Sequence, residues 1–154
     1  MTDRVELSLA NEEATLGLGR KLAQSLEPGM LVKLRGSLGA GKTTLARGML
    51  RGLGFEGRVK SPTYSLVELY ELSRLDLYHF DFYRFEDPHE LIESGLQDAF
   101  NETNVCIVEW PERAGKLLPV ADLEVALSMT NSGRTALMTA KTENGIRCLR
   151  QLQT

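Results

Sequence analysis

Met30-Leu31-Val32-Lys33-Leu34-Arg35-Gly36-Ser37-Leu38-Gly39-Ala40-Gly41-Lys42-Thr43-Thr44 runs from a short, mostly apolar segment straight into a glycine-rich loop. Residues 36–43 satisfy G-x-x-x-x-G-K-[ST] at every position. After them Leu45, Ala46, Met49 and Leu53 recur at helical spacing. Strand, loop and helix in that order form the setting in which such a loop holds phosphate. Without side chains at Gly36, Gly39 and Gly41 the backbone can wrap a polyphosphate with its N–H groups turned inward, beside the positive end of the next helix. Lys42 then lies along the β- and γ-phosphates as a point charge, and the Thr43 hydroxyl takes one place in the octahedral shell of Mg²⁺. Ser37, Leu38, Ala40 and Thr44 complete the predicted nucleotide contact. An incidental glycine turn is the bland alternative, and the full motif in its context outweighs it.

Outward from the loop, Arg4 to Leu9 alternates polar and apolar residues like a half-buried strand. Asn11 is placed to cap a helix in which Ala14, Leu18, Leu22 and Leu26 recur every fourth residue, and Pro28-Gly29 ends it. Beyond the loop's helix, Leu66–Tyr70 and Asp76–Tyr83 read as an antiparallel pair around Ser73-Arg74. Asp87-Pro88-His89-Glu90 is a helix start for Leu91-Ile92 onward, interrupted or ended at Gly95. Val105-Cys106-Ile107-Val108-Glu109-Trp110 reads as a strand covered on both faces. Leu123–Leu127 and Thr135–Thr139 form a predicted hairpin around residues 131–134, and Glu143 to Leu152 a terminal helix. The expected class is α/β: a single P-loop NTPase domain over residues 1–154, with a mostly parallel central sheet, added antiparallel strands and flanking helices.

Composition bounds the partners. The 154 residues carry 18 Lys+Arg against 21 Asp+Glu, a formal charge of −3, which argues against a strongly cationic nucleic-acid clamp. Hydrophobic residues make up 42%, enough for one ordinary globular core. Cys106 and Cys148 have no C-x-x-C partner, so both read as buried thiols in a reducing cytoplasm. The N-terminal Met1-Thr2-Asp3-Arg4-Val5-Glu6 places charges where a signal peptide is apolar, and no run approaches the roughly 20 apolar residues of a membrane span.

A magnesium triphosphate site needs a carboxylate at the carboxyl end of a neighbouring strand. Period two sends Tyr78, Phe80 and Phe82 to one face of their strand and His79, Asp81 and Tyr83 to the other, so Asp81 is one candidate. A turn cap or a pair with Arg84 is its bland alternative. Glu109 is the second candidate, because a carboxylate ending an apolar strand is expensive to bury alone. Activating water, joining the metal's outer shell and a salt bridge to Arg113 all stay open for it. Ser61-Pro62-Thr63 sits where phosphate-loop proteins keep a γ-phosphate sensor, so Thr63 is a switch candidate, with a simple turn start as the alternative. His79 and His89 lack ligand-spaced companions; His79 reads as a hydrogen-bonded strand residue, and Trp110 as packing or interface.

No Asn/Thr-Lys-x-Asp segment for reading guanine occurs, so adenine is the default base, with Thr15 and Arg134 as candidate contacts. Three functions fit such a site: a small-molecule kinase, an ATPase that drives a change in a partner, and a nucleotide-gated adaptor. About 150 residues leave little room for a kinase's acceptor pocket and arginine-bearing lid.

The Gly36-to-Thr44 loop, Lys60-Ser61-Pro62-Thr63-Tyr64-Ser65-Leu66-Val67, Tyr78-His79-Phe80-Asp81-Phe82-Tyr83-Arg84 and Val108-Glu109-Trp110-Pro111-Glu112-Arg113 together resemble the TsaE (formerly YjeE) family over nearly the whole chain. The resemblance implies a cytoplasmic ATPase that joins TsaB and TsaD in making threonylcarbamoyladenosine beside the anticodon of tRNA, without performing the transfer itself. It implies that Thr43 and Glu109 contact Mg²⁺, that Lys42 and the loop bind the phosphates of ATP, and that Asp81 supports metal and catalysis. It also implies that Ser61, Pro62, Thr63, Tyr64 and Trp110 are nucleotide-responsive or partner-facing. The chain departs from the family at Ser37, where an aspartate is usual, a change expected to bear on metal-water contacts or partner docking.

Overall fold

The computed structural model describes residues 3–153; Met1, Thr2 and Thr154, which the single-domain expectation includes, lie outside the described residues. Strand β1 (Arg4–Leu9) leads to helix α1 (Glu12–Ala23), whose first turn is capped by Asn11 Oδ1 accepting from Ala14 N at 2.9 Å. The helix stops before Leu26. Ser25 and Leu26 continue as tighter turns on Leu22 and Ala23, and Leu26 is still buried. Strand β2 (Leu31–Arg35), the loop, and helix α2 (Lys42–Gly52) follow in the predicted order. The antiparallel pair is β3 (Val67–Glu71) and β4 (Asp76–Asp81).

The helix start at Asp87 yields only α3 (Glu90–Glu93). Its capping carboxylate does reach back, Glu90 Oε2 accepting from Asp87 N at 3.0 Å, but Gly95, at φ +75°, turns the chain out of the helix. Strand β5 (Asn104–Glu109), the hairpin of β6 (Leu123–Thr130) and β7 (Gly133–Ala140), and helix α4 (Glu143–Leu152) complete the domain. Among the described residues one seven-stranded sheet runs β1-β7-β6-β2-β5-β4-β3. Its centre is parallel, β6, β2, β5 and β4 pairing in sequence, and the antiparallel strands lie at the edges. This is the P-loop NTPase arrangement, a parallel core with strands added.

Both faces of the sheet are covered. On one, Val105 and Ile107 of β5 meet Leu34, Leu45, Met49 and Val125; on the other, Cys106 and Val108 join Phe80, Phe82 and Leu118. Fully burying Phe80 or Phe82 contributes roughly 1.5–3 kcal/mol each. The aromatic face of β4 therefore faces away from the loop, which leaves His79 and Asp81 on the loop's side, as the alternation predicts. Both cysteines are buried free thiols, and burial pushes the Cys106 thiol up to about 12. Buried Asp122, unremarkable in sequence, ties the far end together, accepting from Leu31 N at 2.8 Å and Thr142 Oγ1 at 2.7 Å. Among the described residues no helix is long and apolar enough to cross a membrane.

Seven glycines fall between Gly36 and Gly57, and only some of them belong to the phosphate loop. Gly19 of α1 and Gly48 of α2 let the two helices meet backbone to backbone: a Cβ on Gly19 would stand 2.5 Å from Leu45 O and 2.7 Å from Met49 N, and one on Gly48 would meet Leu16 O. Close approach of α1 thus holds the helix that carries Lys42 and Thr43. Gly48→Ala gains about 0.5–1 kcal/mol of helix propensity, yet overpacking against unyielding backbone costs about 1–3 kcal/mol. We expect Gly48→Ala to lower the melting temperature by several degrees in calorimetry; an unchanged or raised value would show that the helices can separate at little cost.

Candidate nucleotide site

The loop makes its turn through backbone conformations that suit glycine, Gly36, Gly39 and Gly41 having φ of +147°, +79° and +106°. A Cβ on Gly36 would press on Leu127 O of β6, and Gly41 has the Arg134 side chain 3.3 Å from its missing Cβ. Ala40 is buried beneath the turn, whereas Ser37, Leu38 and Gly39 face solvent. A cleft of about 210 Å³ is lined by Leu38, Gly39, residues 41–44, Thr63, Asp81, Glu109, Trp110 and Arg134. Cavities of about 400 and 430 Å³ lie elsewhere on the domain. Donor chemistry, not volume, marks the candidate site.

Lys42 is almost fully buried; Nζ donates to Gly36 O at 2.5 Å and Ser37 O at 3.0 Å and lies 4.2 Å above the Trp110 ring. Burial pulls its pKa below the ordinary lysine value, and Glu109 and Asp81 oppose that pull. Thr43 Oγ1 lies 3.2 and 3.0 Å from the two Glu109 oxygens. The parallel register of β4 and β5 sets Asp81 directly beside Glu109. Burial raises the Asp81 pKa, the Glu109 charge raises it further, and hydrogen bonds from Tyr83 N and Thr63 act against both. Two carboxylates and a hydroxyl at one sheet edge form an incomplete oxygen set. That suits a hard cation which keeps waters and phosphate oxygens as its other ligands.

The open alternatives divide. Asp81 does cap a turn, its Oδ1 accepting from Tyr83 N at 2.9 Å, while its Oδ2 accepts from Thr63 Oγ1 at 2.9 Å; Arg84 stacks over Tyr64 instead of pairing with it. Glu109 is not bridged to Arg113, whose Nη1 donates to Phe85 O. His79 is a hydrogen-bonded strand residue, and its partner is Glu109, Nε2 to Oε2 at 2.7 Å. Nothing along the chain names that partner, because strand register creates it. Ser61 reaches only Thr63, at 2.9 Å; Pro62 is buried, and Tyr64 is 85% exposed. Arg134 reaches the cleft, but Thr15 is fully buried below it, accepting from Arg134 Nη1 at 3.4 Å, so any effect of Thr15 on a ligand passes through that arginine.

Backbone strain is concentrated here. Trp110, at φ +57° just before Pro111, and Leu66, at φ +76°, are the described non-glycine residues with positive φ. Each such conformation costs on the order of 1–3 kcal/mol and persists where its surroundings over-determine it. Trp110 is pinned between Lys42 and Tyr83, while Leu66 takes Pro62 O at 2.7 Å and gives its own carbonyl to Asp81 N.

A family model described as "Threonylcarbamoyl adenosine biosynthesis protein TsaE" matches residues 9–136. The TsaE protein of Haemophilus influenzae is 44% identical over 142 residues, covering 89% of this chain and 90% of that protein. The TsaE protein of Bacillus subtilis is 38% identical over 117 residues, 76% of this chain and 73% of that one. A crystal structure of Bacillus subtilis YdiB superposes with a TM-score of 0.84 at 28% identity, covering 99% of this chain and 96% of that chain.

The raised pKa of Asp81 has a sign for stability. An acid that holds its proton more tightly in the fold contributes fully below its unfolded value, here 3.8, and that contribution is lost as pH rises through the folded value. Asp81→Asn removes the charge and keeps an acceptor for Tyr83 N. In the ligand-free protein we expect the variant to melt above the wild type at pH 7.5, by about 2–4 °C per kcal/mol recovered, with the gap closing toward pH 4.5. A gap that widens on acidification would contradict the assigned direction.

Proposed function

This chain belongs to the TsaE family, and on that premise we propose that it is a Mg²⁺-dependent ATP-binding protein with slow ATPase activity that serves tRNA threonylcarbamoyladenosine biosynthesis. The observation that carries this reading is one cleft in which Lys42 and Thr43 at the start of α2 meet Asp81 and Glu109 at the ends of two adjacent parallel strands. Loop amides and the N-terminus of α2 receive the phosphates, and Lys42 leaves the Gly36 and Ser37 carbonyls for phosphate oxygen. Thr43, Asp81 and Glu109 would hold the cation, directly or through its waters, and Mg²⁺ so held would neutralise negative charge on the phosphates. Glu109 is also placed to orient the attacking water, and Thr63, hydrogen-bonded to Asp81, links the segment 61–66 to whatever occupies that edge. Arg134 supplies a further cationic contact beside Gly41.

The partners in this reading are TsaB and TsaD, in the cytoplasm, with tRNA reached through them. The charge of −3 supports an indirect contact with tRNA. Of the basic residues Arg47, Arg51, Arg58 and Lys60, which come together in the sequence, Arg47 pairs with Glu12 at 2.6 Å and Arg51 donates to the carbonyls of Phe55 and Gly57. Exposed Leu38, which lines the cleft, and exposed Tyr64, which follows the cleft residue Thr63 in the chain, are suited to a partner surface that senses the bound nucleotide. Turnover is then slow alone and faster in the assembly, since an arginine supplied in trans is worth about 10³–10⁵ in kcat in related systems. An ATPase rate unchanged by added TsaB and TsaD would refute that.

Trp110 is the single tryptophan and lies against Lys42, so its emission is a direct reporter: ATP with millimolar Mg²⁺ should change it as Lys42 leaves the ring. Lys42→Ala should weaken this titration and abolish turnover. Glu109→Ala should retain nucleotide binding while kcat falls by about 10²–10⁴. No emission change in the wild type, and no heat of ATP uptake in calorimetry, would overturn the proposed function.

A further inference from the structure

His79 is fully buried in the interior of β4, on the face it shares with Leu77 and Asp81 and opposite Phe80. Its Nδ1 has no hydrogen-bond partner, which is unfavourable in a protein interior. An apolar side chain of similar volume would carry no such cost, so packing does not account for the imidazole. Its one polar contact does: Nε2 lies 2.7 Å from Glu109 Oε2. A carboxylate accepts and does not donate, which places the ring proton on Nε2 and leaves Nδ1 the unmatched acceptor.

Glu109 needs such a contact. Thr43 Oγ1 approaches both of its oxygens nearly symmetrically, at 3.2 and 3.0 Å, and so leaves the carboxylate free to swing about its terminal torsion, which is broad and soft. Asp81, beside it in register, pushes it away. A second donor, reaching Oε2 from β4 at 2.7 Å, breaks that symmetry and opposes the push. We propose that His79 is a positioning residue: its Nε2–H holds Glu109 Oε2 so that the carboxylate presents a constant face to a Mg²⁺–nucleotide in the loop. The role rests on the proposed function, and it deepens that site without adding a group that touches the ligand. Partners behind a metal-facing side chain typically change metal affinity or activity by about 10–100-fold when removed.

The contact runs through Nε2, which separates two otherwise similar substitutions. His79→Gln sets an amide nitrogen close to the place of Nε2, whereas in His79→Asn the amide stops one methylene short, near the place of Nδ1. Calorimetric titration with ADP, in EDTA and in millimolar Mg²⁺, reads the outcome. Affinity in EDTA should be close to wild type for both variants. The gain on adding Mg²⁺ should fall about 10–100-fold in His79→Asn and recover largely in His79→Gln, with kcat following the same order. Equal losses with and without Mg²⁺ would reduce His79 to packing, and a wild-type Mg²⁺ gain in His79→Asn would overturn the role. Imidazole ¹⁵N spectra of the wild-type protein test it without any substitution. They should show an Nε2-protonated ring whose signals move when Mg²⁺–ADP is added; an Nδ1-protonated ring refutes the proposal even if neither variant folds. A wild type with no Mg²⁺-dependent ADP binding would overturn the proposed function and this role together, whereas a wild type that binds alongside an unaffected His79→Asn overturns this role alone.

Discussion

A carboxylate that is 2% exposed, at the end of a strand whose four preceding residues are Val, Cys, Ile and Val, has to be met by donors or by positive charge, because desolvating it unpaired costs several kcal/mol. Glu109 is that group, and the neighbouring elements are arranged to meet it. Helix α2 supplies the Thr43 hydroxyl and, close by, the Lys42 ammonium; β4 supplies His79. The arrangement is under tension, since β4 also sets Asp81 alongside as a second negative charge. Two buried carboxylates beside one partly compensating lysine leave negative charge uncompensated, which is the electrostatic basis of the proposed cation site.

Geometry of that kind requires a rigid frame, and small residues provide it. Gly36 and Gly41 allow the chain to reverse from β2 into α2 under Leu127 and Arg134, while Gly19 and Gly48 let α1 support α2 at backbone contact. Larger residues would displace α2 by ångströms, and with it the two side chains that reach Glu109. On the other flank the positive-φ residues are Trp110, which lines the cleft, and Leu66, whose carbonyl accepts from Asp81 N. Strain gathered around one site fits segments that respond to a ligand, because a contact made with bound nucleotide can favour one of two backbone arrangements.

Much of this was legible along the chain. The phosphate loop, its strand and helix, the inward face of β4 and the all-apolar β5 follow from spacing and period, which are local properties: side-chain direction repeats every two residues in a strand and every 3.6 in a helix. Residue-by-residue matching to the four blocks likewise placed Lys42, Thr43, Asp81 and Glu109 together, and they do share one cleft. The short α3 follows from two local signals, a start at Asp87 that opens the helix and Gly95, in a left-handed turn, that ends it.

Pairing across strands is a different matter, because register depends on how distant segments pack and no local period encodes it. Only the folded sheet sets Asp81 opposite Glu109 and brings His79 within 2.7 Å of it, and only the α1–α2 contact shows that Gly48 serves packing while Gly41 serves the loop. The chain's letters specify which chemistry is present, since a lysine, a threonine and two acids carry it wherever they stand. Their distances, and hence which acid faces which donor, come from long-range contacts that exist only once the core has closed.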